Sequence, residues 1–473
     1  MRTKLLLLIS GLMFAVTLCN AQMTILHNFT NQEFPQCHLL QIGNVFYGTT
    51  LEGGANKQGY VFSMNKDGSG FKDLWDFKDT GTVAGNYNGS TSRNSLILLR
   101  NRLYGMTYNG GEYNEGVIFS ISINGGGYKD LWDFTSATGT YPCGALTLAG
   151  NKFYGVTASG GASGEGVVFS VDTNGNNYID MHDFSPANGY DPYGSLVVSG
   201  KTLFGTTENG GTGNEGTVYS IDTAGSNYKT LVNFNNFNGA YPEAALTLAP
   251  NGTRLFGTCE GGGSGFYDGS VFELDTNGNN FKTIFAFNYL DGEEPLGEVT
   301  LVGSKLYAMT DYGGEPYFLG NIFVVDTTGT GFQDLYNFDA VHGQYPTNGN
   351  DVIVSGDTIW GIVYEGGTNG YGVIYQYLNT PNGINTINAD DGGLKVYPNP
   401  SNGAFTFQST VVSGQPSEVE VYNMMGQQVY SQTNIPNSTF RIDLSNQANG
   451  VYLYRLISLD GSIVGEGKLI LQK

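Results

Sequence analysis

The segment FNYLDGEEPLGE, residues 287–298, places Asp291, Glu293, Glu294 and Glu298 close together, and CEGGGSGFYDG, residues 259–269, adds Glu260, Tyr267 and Asp268. Crowded carboxylates repel one another unless water, protons or a cation neutralise them. Three chemistries follow: an oxygen-ligated calcium site, an acid and base pair acting on a polysaccharide, or a hydrated acidic surface. The hydrated surface demands least. These seven residues are the candidate ligand-binding set, with calcium the one cofactor they suggest; no catalytic residue identifies itself. Tyr87, Tyr141, Tyr190 and Tyr241 recur in similar connections, where they either stack on sugars or pack a loop with wet hydroxyls.

Other signals for chemistry are weak. His27, His38, His182 and His342 are scattered without a recognisable ligand spacing. Asp172-Thr173-Asn174-Gly175 resembles the start of a calcium loop but lacks the later acids and the closing Glu, so a tight turn is the simpler reading. No nucleophile elbow or Walker loop occurs, and Gly-Gly pairs are too common in this chain to mark phosphate binding.

The elements that must position these residues repeat. Tyr47, Tyr104, Tyr154, Phe204, Phe256, Tyr307 and Trp360 each precede glycine (alanine after Tyr307), at intervals of 57, 50, 50, 52, 51 and 53. A period near 50 belongs to propeller-like repeats. Each unit holds four strand-like runs; in the fourth they are Ser195–Val198, Thr202–Thr207, Thr217–Asp222 and Tyr228–Phe234. In the last run Tyr228, Thr230, Val232 and Phe234 alternate onto one face, as in a strand. Glycine after each aromatic permits close backbone approach, and repeated triplets such as Asn114-Glu115-Gly116 read as structural.

MTILHNF, residues 23–29, matches a fourth strand such as YKDLWDF, while the last unit has only Asp351–Val354, Thr358–Val363 and Val373–Leu378. Pairing Ile25–Phe29 beside Val373–Leu378 would complete a seventh sheet and latch a ring without open edges. The expected fold is all-β: a seven-bladed β-propeller over residues 22–378, closed by the N-terminal strand, then a linker at 379–393 and a small β-sandwich at 394–473.

Residues 1–21 read as a signal peptide, with Arg2 and Lys4 before the apolar stretch 5–18 and Cys19-Asn20-Ala21 before Gln22. The stretch is short for a membrane anchor, and no later run could span a bilayer. Cys37, Cys143 and Cys259 then remain, an odd number suited to buried small residues rather than a disulfide framework. The net charge is −21, or −23 after loss of Arg2 and Lys4, and residues 389–473 carry only −2 of it. Nucleic acid and anionic membranes are poor partners for such a surface.

LYGMTYNGG…EGVIFS, KFYGVTASGG…EGVVFS and LFGTTENGG…EGTVYS resemble the GloVer tandem-repeat family, over roughly residues 23–378. The resemblance implies a propeller-like repeat protein and no particular reaction. The C-terminal region resembles the sorting domain of the type IX secretion system, typical of Bacteroidota. Its matching positions are Pro398, Asn399 and Pro400 with Gly403, the strand and turn from Val421 to Gly426, Gly450 and Tyr452, and terminal Lys468. That resemblance implies export through the periplasm by the type IX machinery, then release or attachment at the outer-membrane surface.

Three functions compete: a secreted or surface binding and adhesion propeller for glycan or protein, a polysaccharide hydrolase or lyase using loop carboxylates, and a passive envelope scaffold. Binding is preferred over catalysis, since no motif demands an enzyme.

Overall fold

In a computed structural model of the chain, the described residues are 23–473 apart from 79–88, 91, 93–94, 264–267, 347–350, 380–393, 410–415, 424–426, 434, 436–438 and 459–462. The proposed signal segment, nearly all of the linker, and Tyr87, Tyr267 and Gly426 lie outside the described residues. Two compact units divide the chain, Met1–Asn379 and Thr380–Lys473. Among the described residues there is no helix, and hence none long and apolar enough to cross a membrane.

Unit one is propeller-like, built of four-stranded antiparallel sheets. Six consist of consecutive strands, within residues 40–76, 97–133, 140–183, 197–233, 247–286 and 300–337. A seventh contains Ile353–Ser355, Thr358–Val363 and Val373–Leu378, with Met23–Asn28 as its fourth strand. The pairing is antiparallel, with Met23 opposite Tyr377 and Asn28 opposite Val373.

In the fourth sheet the second and third strands fall at Thr202–Thr207 and Thr217–Asp222 as the sequence indicates; the first is Val197–Ser199 and the fourth Lys229–Asn233. Strict alternation fails in that fourth strand. Val218 pairs with Val232 and Tyr219 with Thr230, which leaves Leu231 as a bulge. The extra residue bends the edge, and it lets Leu231 and Val232 both join the apolar cluster with the fifth sheet.

The repeated residues explain how the sheets stack. Gly105 pairs with Phe119, and a Cβ at Gly105 would lie 2.8 Å from the Phe119 ring and from Leu96. The absent side chain makes room for the aromatic. Trp75 stacks on Tyr128 of the next sheet at 4.7 Å between ring centroids, and Trp132 on Tyr178 at 4.5 Å. Asp76 and Asp133 accept backbone N–H groups of Ala55 and Glu112, each at 2.6 Å, from the loop opened by the Gly-Gly pair.

The leading strand performs each of these tasks for the seventh sheet. His27 stacks on Phe71 of the first sheet at 3.7 Å, and Asn28 Oδ1 accepts the N–H of Thr368 at 2.9 Å. Phe29, fully buried, packs with Phe46, Phe62, Trp360, Ile362 and Ile374, so the seventh sheet shares a core with the first. The other six apolar clusters of this unit join first to second, second to third, and so on to sixth with seventh. Cys37, Cys143 and Cys259 are buried, with no disulfide among the three.

Unit two packs a three-stranded sheet and a four-stranded sheet around Phe405, Phe407, Val421, Ile442, Tyr454 and Leu469. The Asn399 side chain donates to the carbonyl of Lys468 and accepts from the N–H of Ile470, both at 2.8 Å, which fastens the Pro-Asn-Pro segment to the last strand. Pro398 and Pro400 flank this clamp with cis peptide bonds. Gly403 lies where a Cβ would meet Ser445 at 2.8 Å. Gly450 opens the strand Gly450–Ser458, and buried Tyr452 donates to the Ala448 carbonyl at 2.7 Å.

Candidate functional site

Segments leading into the first strands of five sheets, and the first strand of the third sheet itself, converge on one pocket of about 350 Å³. Gln36 and His38 come from the first, Ser95 from the second, Cys143 from the third, Tyr193 and Ser195 from the fourth, Glu243 from the fifth, and Leu296 and Glu298 from the sixth. Tyr108 and Glu208 enter from the residue just after a second strand. A further cavity of about 320 Å³ shares His38, Ser95, Ser195, Ala245 and Glu298 and continues along the first strands.

Two repeated backbone positions shape the rim. Tyr141, Asp191, Tyr241, Glu294 and Tyr345 each precede proline and hold φ between 53° and 58°. Such a conformation is costly for a residue with a side chain and persists only where neighbours impose it. Here the carbonyls of Asp191, Tyr241 and Glu294 accept N–H groups from Glu208, Glu260 and Asp311, respectively, at 2.9–3.1 Å. The second position, four residues after each repeated aromatic and at or near the end of the second strand, carries Leu51, Tyr108, Ala158, Glu208, Glu260, Asp311 and Tyr364 in the seven units. Three consecutive units therefore place acids at one rim position.

These acids act on one another. Burial, then the charges of Glu208 and Glu260 with a hydrogen bond to Glu260, push Glu243 up to about 9. Glu260 is also raised by burial, although Glu243 moderates the shift by hydrogen bonding to it. Burial followed by the Asp191 charge takes Glu208 to about 7; burial followed by Glu260 takes Glu294 to about 7. Asp311 is 4% exposed, and its Oδ1 has no hydrogen-bond partner; burial and the charges of Glu294 and Glu260 push it to about 7. The hydrogen bond between Glu243 and Glu260 favours the acid form of Glu243 and opposes the effect of burial on Glu260.

On the far side of the pocket His38 Nδ1 lies 3.1 Å from Asp351 Oδ2. Burial favours the neutral imidazole, yet the Asp351 carboxylate outweighs it and holds His38 up at about 9. Glu298 rises to about 7, through burial against the opposing pull of His38.

The seven sequence candidates separate. Glu260 and Glu294 join the acidic rim, Glu298 lines the pocket, and Tyr267 lies outside the described residues. Glu293 is raised by burial and then by the Asp268 charge, and its own charge helps to raise Glu294. Asp291 turns away: its carboxylate accepts from Asn288 and its carbonyl from Asn321 at 2.7 Å. Glu208, Glu243 and Asp311 were missed because each stands alone in sequence; aligning the seven units four residues after the repeated aromatic would have found Glu208 and Asp311. His38 and Asp351 were missed for the same reason. Tyr141 stacks on Tyr108 at 4.9 Å, which favours loop packing for that tyrosine. Glu115 and Glu215 supply carbonyls to Tyr141 and Tyr241, a structural task.

No curated protein matches the chain. Among solved structures it is similar to oligogalacturonate lyase from Vibrio parahaemolyticus, at 11% identity and TM-score 0.48, covering 76% of this chain and 94% of that one. It is also similar to an oligogalacturonate lyase in complex with manganese, at 9% identity and TM-score 0.48, covering 76% and 93%. The β-propeller domain of the Trilobed protease from Pyrococcus furiosus matches at 9% identity and TM-score 0.46, covering 73% and 96%. The secretion system C-terminal sorting domain matches residues 395–472, which marks the protein as exported, engaging the type IX machinery and secreted or attached at the cell surface. The Gloeobacter/Verrucomicrobia repeat matches residues 8–200, 81–268 and 248–412 in tandem, and the chain belongs to that repeat family.

Proposed function

We propose that residues 22–378 form a seven-bladed propeller latched by Met23–Asn28, and that this exported ring binds a neutral, hydroxyl-rich ligand, a glycan, in the pocket. Residues 1–21 act as its signal peptide, and residues 379–393 link it to the sorting domain at 394–473. The observation carrying the binding reading is the pocket lining: Glu208, Glu243 and Glu298 beside Tyr108 and Tyr193, with neither lysine nor arginine among them. Carboxylates and half-protonated acids accept and donate to pairs of sugar hydroxyls, while tyrosine faces suit the apolar side of a pyranose ring. His38 is the one basic group of that lining, and the surrounding carboxyl groups outnumber it, which disfavours an anionic sugar.

Titration calorimetry of the full exported chain against neutral and uronic oligosaccharides tests this reading. Binding confined to neutral sugars, weakened at least tenfold (about 1.4 kcal/mol) by Tyr193→Ala and by Glu243→Ala, supports it. Absence of neutral-sugar binding, or binding untouched by both substitutions, refutes it.

The Glu243 and Glu260 pair supports a second reading, a polysaccharide hydrolase or lyase in which Glu243 serves as acid and Glu260 as base. Chain cleavage by the wild type, abolished in Glu243→Gln with binding retained, would favour catalysis over simple binding.

A further inference from the structure

We propose that His38, Glu298 and Asp351 bind one divalent transition-metal ion, Zn²⁺ or Mn²⁺, in the wall of the pocket. These residues occupy a single register position repeated in all seven units, just before the buried Leu or Val that leads into each first strand: His38, Ser95, Ala145, Ser195, Ala245, Glu298 and Asp351. Four are alanine or serine. The three able to ligate a metal are consecutive, belonging to the sixth, seventh and first sheets.

Their donor atoms all lie within 4.8 Å of one another. Beyond this proximity, Asp351 Oδ1 is buried with no hydrogen-bond partner, although Oδ2 of the same carboxylate faces His38. A buried carboxylate oxygen is costly without a partner, and a cation shared with Glu298 would supply one. Thr247 Oγ1 lies 3.2 Å from Glu298 Oε1 while also reaching the Val299 carbonyl, and so contacts that carboxylate from outside the cluster. One imidazole nitrogen and two carboxylates suit Zn²⁺ or Mn²⁺, whereas calcium prefers oxygen ligands alone. His38 and Glu298 also line the pocket, which leaves coordination positions facing the cavity for water or a ligand hydroxyl.

The ion would connect segments of three sheets across the seam where Met23–Asn28 pairs with Val373–Leu378. This inference stands on the His38 cluster and does not require the ligand to be a glycan. Its test uses the full exported chain, stripped with a chelator, dialysed against Zn²⁺, Mn²⁺ or Ca²⁺ alone, and assayed for bound metal by mass spectrometry and for its thermal midpoint. We expect one retained equivalent of Zn²⁺ or Mn²⁺ and a midpoint raised by that ion. Retention should fall at least tenfold in His38→Ala and Asp351→Asn, with the conservative Glu298→Gln and Asp351→Asn read by far-UV circular dichroism should His38→Ala fail to fold. No retained metal, retention of Ca²⁺ alone, or equal retention by wild type and folded variants would overturn the proposal. Sugar titrations of the stripped protein separate failure here from failure of the glycan reading.

Discussion

Glu243 is the residue on which the chemistry of the pocket turns. Its acid form is favoured by burial and by the charges of Glu208, Glu260 and Glu294 around it. Asp311, Glu208 and Glu294 are pushed up in the same direction, as are Asp130 and Asp180 in fourth strands, by burial and by Asp133 and Asp183. A carboxyl whose folded pKa exceeds its unfolded value binds more protons in the folded state, so its contribution to stability declines as pH rises between the two values. The thermal midpoint should therefore fall from pH 6 to pH 9, and Glu243→Gln should flatten the decline; scanning calorimetry across that range checks it, and a midpoint that climbs with pH contradicts it. Residue-scale chemistry was only partly legible in sequence. Glu260 and Glu294 stood out because acids crowd their loops, whereas Glu243 and Asp351 acquire neighbours only when distant repeats converge. His27 and His182 show the converse: they stack on Phe71 and Tyr228, and burial lowers the pKa of both.

At the scale of the strand, the repeat was readable because each position answers one steric demand. Gly105 must leave room for Phe119, and Gly105→Ala should destabilise unit one by about 1–3 kcal/mol through overpacking, measured by denaturant unfolding; an unchanged midpoint would argue that the ring can slide aside. Asn28→Ala should cost about 1 kcal/mol by removing the acceptor for Thr368 N–H, comparable with the loss from Asp133→Ala at Glu112. A much smaller cost at Asn28 than at Asp133 would mean that the leading strand is a loose addition. The fourth-strand bulges were not legible, since alternation in Tyr228–Phe234 suggested a regular strand and only pairing against Tyr219 displaces Leu231. In the sorting domain, the motif was recognisable but its mechanics were not: Asn399 clamps the backbone at Lys468 and Ile470, and Asn399→Ala should loosen that last strand.

The whole molecule couples an address to a repeat architecture, and every proposed ligand contact depends on remote units meeting. Glu208, Glu243, His38 and Glu298 are widely separated along the chain, yet they line one pocket. Seven shared apolar clusters lead from each sheet to the next, with Phe29 and Trp360 in the one that joins seventh to first. The antiparallel pairing of Met23–Asn28 with Val373–Leu378 was legible because residues 23–29 match a fourth strand that the last unit lacks; closure of a ring through it is the proposal. Thr24 and Gln376 face each other in that pairing and are not buried, which makes Thr24→Cys with Gln376→Cys the most direct probe of closure. Under mild oxidation the folded double variant should form the 24–376 disulfide almost completely, identified by peptide mass mapping, and should unfold at a higher temperature than its reduced form. Free thiols at both positions in the folded protein would contradict the closed ring.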